Sequence, residues 1–107
     1  MSTDDDNDRI FKALGNRVRR AMLDTLKNAP QTTGALCEAF PALDRCTVMQ
    51  HLKVLEDADL LIVKRQGRER WNHLNAIPIQ QLHERWIGSY AEHAADRLLQ
   101  LQRGLEG

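Results

Sequence analysis

A chain of 107 residues makes one small domain whose core is modest enough that a second copy is the expected source of further burial. No apolar run approaches the roughly 20 residues of a membrane span, and the opening MSTDDDNDR is acidic without a hydrophobic stretch, so a soluble cytoplasmic protein with no membrane partner is expected. The formal charge is zero, from 15 Lys or Arg and 15 Asp or Glu, but it is segregated: residues 1–8 carry four acids, residues 9–75 carry 12 bases against 7 acids, and residues 76–107 carry 3 bases against 4 acids.

In chain order, residues 1–7 read as an acidic disordered tip and residues 8–107 as the folded domain. A first helix is expected near Asp8–Leu14, with Gly15 as its stop, and a second after Asn16, with Met22, Leu23 and Leu26 on its apolar side. Asn28-Ala29-Pro30 breaks it. Thr32 can cap a short helix through Phe40, and Pro41 closes that helix before Asp44 caps the next. In this fourth helix Val48, Leu52 and Leu55 recur at i, i+4 and i+7 and form an apolar stripe. Off the stripe, Arg45, Thr47, Gln50 and His51 can all hydrogen-bond to a phosphate or a base edge. Leu61-Ile62-Val63 then reads as a strand, Gln66-Gly67-Arg68 as a turn, and Glu69 to Leu74 as a returning strand, with Lys64, Arg65, Arg68 and Arg70 crowding the hairpin. Arg68 and Arg70, two residues apart in extended chain, are expected to share a face that can run along a phosphate backbone. Pro78 opens a long final helix in which Ile79, Leu82, Trp86, Tyr90, Ala94, Leu98, Leu101 and Leu105 follow a three-to-four-residue period.

Helix, tight turn, helix and basic hairpin together outline a winged helix-turn-helix: mostly α, five helices, one small β-hairpin wing, and dimeric. The basic excess of +5 over residues 9–75, twelve minus seven, falls on that reading head, as a nucleic-acid partner requires. Composition alone would describe a solvated surface equally well. Specific residues add to this. His51-Leu52-Lys53-Val54-Leu55 followed by Ala58-Asp59-Leu60-Leu61, with Ala13-Leu14-Gly15-Asn16-Arg17-Val18-Arg19-Arg20 and Thr33-Gly34-Ala35-Leu36 upstream, resembles the ArsR/SmtB family of bacterial transcriptional repressors over roughly residues 10 to 100. That resemblance implies a homodimer on palindromic double-stranded DNA, repressing by operator occlusion, with recognition helices about 34–36 Å apart. DNA-binding residues are then expected at Arg45, Cys46, Thr47, Gln50, His51, Arg65, Arg68 and Arg70. In the family the first and last helices pair across the twofold axis, which points to Ile10, Leu82, Trp86, Tyr90, Leu98 and Leu101 as the dimer interface.

The family divides largely by what its members sense, and here the chain departs from the metal-sensing pattern. Where those relatives read E-L-C-V-C-D, this chain reads Ala35-Leu36-Cys37-Glu38-Ala39-Phe40, with one thiolate where two are wanted, so Cys37 reads as core. Gln81-x-His83 and His93-x-x-Asp96 imitate a second metal pattern, but an amide replaces the first carboxylate and the spacing is one residue short. Ten residues of helix also set the two histidines about 15 Å apart, so a shared ion would have to bridge subunits. No metal and no cofactor is expected, and the resemblance falls to the non-metal branch. Cys46 lies in the first turn of its helix beside Arg45, at the positive end of the helix dipole. It is either an oxidation switch or a small tolerated residue. No glycine-rich phosphate loop, nucleophile elbow or His-Glu-x-x-His is present, so an enzyme is not expected. The competing reading is a winged-helix docking module that contacts protein and does not read DNA.

Overall fold

The computed structural model describes residues 3–106. Its elements are α1 (Thr3–Leu14), α2 (Arg17–Asn28), β1 (Gln31–Thr32), α3 (Thr33–Ala39), α4 (Arg45–Asp57), β2 (Leu61–Gln66), β3 (Glu69–Leu74) and α5 (Ile77–Leu82). A π-helical segment (His83–Gly88) follows, and then α6 (Ser89–Glu106). The backbone stays helical across both junctions of the π segment, so residues 77–106 form the single long helix expected after the wing.

The expected N-terminal boundary is displaced. Helix α1 begins at Thr3, not near Asp8, and Asp4, Asp5 and Asp6 occupy its first turn. Carboxylates there face the positive end of the helix dipole, worth roughly 0.3–1 kcal/mol each, and Asp6 also meets Arg9 at 3.9 Å one turn on. The remainder of the expected tip, residues 1–2, lies outside the described residues. The stop at Leu14 falls where expected but by another device. Gly15 keeps a negative φ, and the last carbonyls of α1 are capped from α2: Arg19 donates to those of Lys12 and Ala13, and Arg20 to that of Leu14.

Three side-chain caps set the next helices, at Thr32 and Asp44 as expected and also at Asn16, after which a helix is expected to begin. Asn16, Thr32 and Asp44 accept hydrogen bonds from the backbone N–H groups of Arg19, Ala35 and Thr47. Helix α4 ends on a Schellman motif. The Asp59 N–H donates to the Glu56 carbonyl and the Leu60 N–H to that of Leu55, both at 2.9 Å, while Leu55 and Leu60 are fully buried. This places Asp59 at φ 61, the one non-glycine residue with positive φ among those described. Since an L side chain is disfavoured there, Asp59→Gly is expected to stabilise the fold by about 1 kcal/mol, read as a higher urea midpoint at unchanged m-value. An unchanged or lowered midpoint would show that the aspartate itself contributes at this corner.

The sheet has strand order β1-β3-β2, antiparallel throughout, with Gln66 opposite Glu69 across a two-residue turn. Gly67 takes φ 63 at the first turn position while Arg68 stays negative, the signs of a type II′ hairpin. Strand β1 has no signature in sequence, because two residues carry no alternation. It exists because β3 offers a free edge and because Asn72, fully buried on β3, donates to the Gln31 carbonyl and the Thr33 hydroxyl at 3.2 Å each.

Ile10, Ala13, Met22, Leu26, Leu36, Val48, Leu52, Leu55, Leu60 and Leu82 form one core beneath the helix-turn-helix. Helix α6 lies outside it. Every residue from 89 to 105 is exposed, and α6 packs to any extent only on the π segment from which it grows. The molecule therefore measures 67 × 33 × 21 Å, with a radius of gyration of 18.3 Å against the roughly 13 Å of a compact chain this long.

Candidate nucleic-acid interface

Helix α4 divides into four stripes by its own period. Val48, Leu52 and Leu55 are fully buried and fix its inner face. Thr47, His51 and Val54 are half-buried on one flank. Arg45 and Met49 face the wing across a groove on the other flank, and Glu56 continues that side. Cys46, Gln50, Lys53 and Asp57 are exposed and point away from the domain. Because successive members of this last stripe are three or four residues apart, they form a straight polar ridge of the kind that can enter a major groove.

The expected DNA-binding residues separate on this frame. Arg45, Cys46 and Gln50 lie free on the surface. Thr47 is committed to the helix start: through its backbone N–H, at 2.7 Å, and then its hydroxyl, it holds the Asp44 carboxyl below its ordinary pKa. His51 also faces inward, its Nδ1 lying 3.3 Å from the Arg19 guanidinium. Burial, and secondarily the charge of Arg19, hold its imidazole below the usual histidine pKa. Lys53, which sequence reasoning left out of the site, sits on the exposed ridge beside Gln50. The three-residue spacing from Gln50 was the available signal. It pairs with Asp57 at 3.0 Å, and that carboxylate holds its ammonium above the ordinary lysine value.

The wing closes the groove from the far side. Arg45, Arg65, Arg68 and Arg70 all line it, with Glu69 and the start of α3 at Thr32, Thr33 and Gly34. Arg65 and Arg68 are exposed and form no ion pair among the described residues, so the groove presents a surplus of guanidinium donors to an anion. Two expectations about the wing do not hold. Arg68 occupies the second turn position, not a strand, so it does not share a strand face with Arg70. Arg70 folds back onto α4, where its Nη2 donates to Glu56 Oε2 in a half-buried ion pair. Its first role is therefore to fasten the wing root to α4. Nothing in the sequence signalled that pairing, which joins residues 14 apart on different elements.

The expected interface residues divide in the same manner. Ile10 and Leu82 are 5% and 2% exposed within one chain, so both are consumed by the intramolecular core and cannot lead a dimer contact. Trp86 is half-buried against that core, stacked on Tyr90 with ring centroids 5.7 Å apart and planes within 3°, while the Arg85 guanidinium lies over the Trp86 ring at 4.2 Å from its centroid. Tyr90, Leu98 and Leu101 are 56–61% exposed, and Phe11 on α1 and Leu105 on α6, which sequence reasoning did not place in the interface, are exposed as well. Cys37 packs half-buried at the edge of the core, and among the described residues no three His, Cys, Asp or Glu side chains of one chain cluster as a metal site would need. His83 lies in the π segment with its ring against Gly88, and His93 and Asp96 are exposed on α6.

Comparison with known proteins agrees with this architecture. A family model described as a helix-turn-helix domain matches residues 14–64. The uncharacterized HTH-type transcriptional regulator YuzN of Bacillus subtilis is 36% identical over 86 residues, 75% of this chain and 94% of YuzN, and the transcriptional repressor SdpR of the same organism is 31% identical over 66% of this chain and 78% of its own. The crystal structure of the ArsR family transcriptional regulator RHA00566 superimposes with a TM-score of 0.77 at 28% identity, covering 88% of this chain and 95% of that one. The chain belongs to the ArsR family. A further ArsR-like fold, the homodimeric winged helix-turn-helix DNA-binding domain of Mb0332 from Mycobacterium bovis, matches with a TM-score of 0.65 at 23% identity over 89% of this chain and 82% of that one. In ArsR terms α3 and α4 are the helix-turn-helix, α4 its second helix, and β2 and β3 the wing. No described helix is long and apolar enough to cross a membrane.

Proposed function

We propose that this ArsR-family regulator is a cytoplasmic homodimeric repressor that covers a palindromic operator, with α4 in the major groove and the wing along the phosphate backbone. The observation that carries this reading is the juxtaposition on α4: an exposed ridge of Cys46, Gln50 and Lys53 beside a groove lined by Arg45, Arg65 and Arg68. Gln50 supplies base readout, and the arginines supply sequence-independent affinity. Homodimerisation is supported by the exposed apolar side of α6 and by the homodimeric state of Mb0332, and repression by the likeness to SdpR. The single thiolate at Cys37 supports a place in the branch that does not sense metals.

Anisotropy titration against DNA upstream of the protein's own gene, at two salt concentrations, tests the reading. The wild type is expected to bind tightly and to weaken steeply with salt. Arg68→Ala is expected to weaken specific and random DNA alike and to reduce the salt slope by about one. Unaltered affinity and slope in Arg68→Ala would take the wing out of the DNA contact, and weak salt-insensitive binding by the wild type would favour the protein-docking module instead. Zinc, cadmium or arsenite should leave the same titration unchanged. An ion that binds stoichiometrically and releases DNA would move the chain to the metal-sensing branch.

A further inference from the structure

The guanidinium of Arg19, on α2, lies between acceptors from two other helices. Its Nε donates to the Ala13 carbonyl and its Nη2 to the Lys12 carbonyl, both at 2.9 Å at the end of α1, and its Nη1 meets Nδ1 of His51 on α4 at 3.3 Å. A guanidinium has donors only, so Nδ1 must be the bare, accepting nitrogen and the imidazole must be neutral with its proton on Nε2. One side chain thus ties the carboxyl end of α1 to the flank of α4, two turns or less from the reading residues at Cys46, Gln50 and Lys53. A rotation of α4 about its axis would lengthen the His51 contact as well as shift the buried stripe, so the pair adds to the hold that Val48, Leu52 and Leu55 already exert.

We propose that Arg19 and His51 form a positioning pair that locks the rotation of α4 against α1, so that His51 acts on DNA by aiming the exposed ridge and not by touching a base. This rests on reading α4 as the helix that enters DNA. The charged groups around the ring fit the assignment. Arg19 on α2 supplies the charge that acts on it, α1 presents carbonyls to the pair while its Lys12 side chain borders a cleft with Val54 and Asp57, and Asp44 on α4 is held by Thr47. A second positive charge on the imidazole would face Arg19 with no acceptor to offer it. The lock is therefore intact above the folded pKa of His51, which burial and Arg19 hold below the ordinary value, and it opens as pH falls through that value.

Asparagine and glutamine separate positioning from reading, because the Asn amide oxygen takes the place of Nδ1 whereas the Gln amide reaches the place of Nε2. His51→Asn is expected to keep operator affinity within about twofold. His51→Gln and Arg19→Lys are expected to lose about tenfold on the operator, a charged hydrogen bond's worth, with random-DNA affinity and salt slope unchanged. Acidification should weaken operator binding by the wild type and not by His51→Asn. The lock is overturned if His51→Gln matches the wild type while His51→Asn fails, or if acid strengthens operator binding through His51, since either result makes the ring a direct contact. Nitrogen-15 NMR of the free protein decides the same point without DNA: the Nε2–H tautomer with a bare Nδ1 is expected, lost in Arg19→Lys, and an Nδ1–H tautomer in the wild type would sink the pair. Absence of any DNA binding by the wild type, with the expected tautomer present, would remove the DNA reading of α4 and with it the pair's proposed role, leaving only the structural contact.

Discussion

Leu98→Asp with Leu101→Asp is expected to turn the proposed homodimer into monomers and to lower operator affinity by a factor of about 10²–10⁴, the range gained when two half-sites are engaged by one linked particle. The expectation follows from where these side chains sit. Leu98 and Leu101 are 61% and 60% exposed, on a helix that touches little of its own domain, and Tyr90 and Leu105 extend the same apolar side. Covering each leucine would contribute roughly 1–2 kcal/mol, whereas a carboxylate at either position would have to be desolvated without a partner. The same isolation makes the test clean. Neither residue contributes to the buried core of Met22, Leu36, Val48, Leu52 and Leu55, so the monomer should keep its far-ultraviolet spectrum. Sedimentation equilibrium beside an operator titration reads both effects. A variant that remains dimeric would show that α6 is not the interface. A variant that becomes monomeric yet binds the operator as tightly as before would show that occlusion needs only one copy.

What the sequence made legible, and what it did not, divides along one physical line. Local chemistry could be read: the side-chain caps at Thr32 and Asp44, the helix start after Asn16, the Val48-Leu52-Leu55 stripe, the two-residue turn at Gly67 and the helix start near Pro78 each depend on residues within a few positions of one another. Pairings between distant elements could not. Arg70 reads as a free wing cation until Glu56 is placed beside it, His51 reads as a base contact until Arg19 approaches from α2, and β1 is invisible until Asn72 reaches across from β3. Ile10 and Leu82 fail for the same reason, since periodicity shows that a residue is buried without saying by which copy. The π segment was missed because its sequence, His83 to Gly88, fits an α-helical period well enough to conceal the wider turn. Its physical trace is the His83 ring lying 3.1 Å from where a Cβ on Gly88 would stand. The acidic tip reads as disordered in sequence, whereas Asp4, Asp5 and Asp6 occupy the first turn of α1, where the helix dipole favours them.

Gln50→Ala is expected to cost about 1–3 kcal/mol on the preferred operator and much less on random DNA, flattening base preference at one position of each half-site. Among the expected base readers on α4, Arg45 turns toward the wing groove, Thr47 is held by Asp44 and His51 by Arg19, which leaves Gln50 as the exposed side chain able to offer a donor and an acceptor together. That pair of groups matches the N6 and N7 edge of adenine, and its loss leaves those base atoms without a protein partner. Lys53, one turn along the ridge and paired with Asp57, is a point charge on a flexible stem and cannot replace a bidentate contact. The two residues therefore predict different signatures. Gln50→Ala should narrow the ratio of specific to random affinity at constant salt slope, while Lys53→Ala should lower both affinities together with the slope. The check is a titration of each variant against an operator series with every base pair of the half-site changed in turn. An equal loss on operator and random DNA would remove Gln50 from the readout, and preference retained at all positions would place base reading outside the exposed ridge of α4.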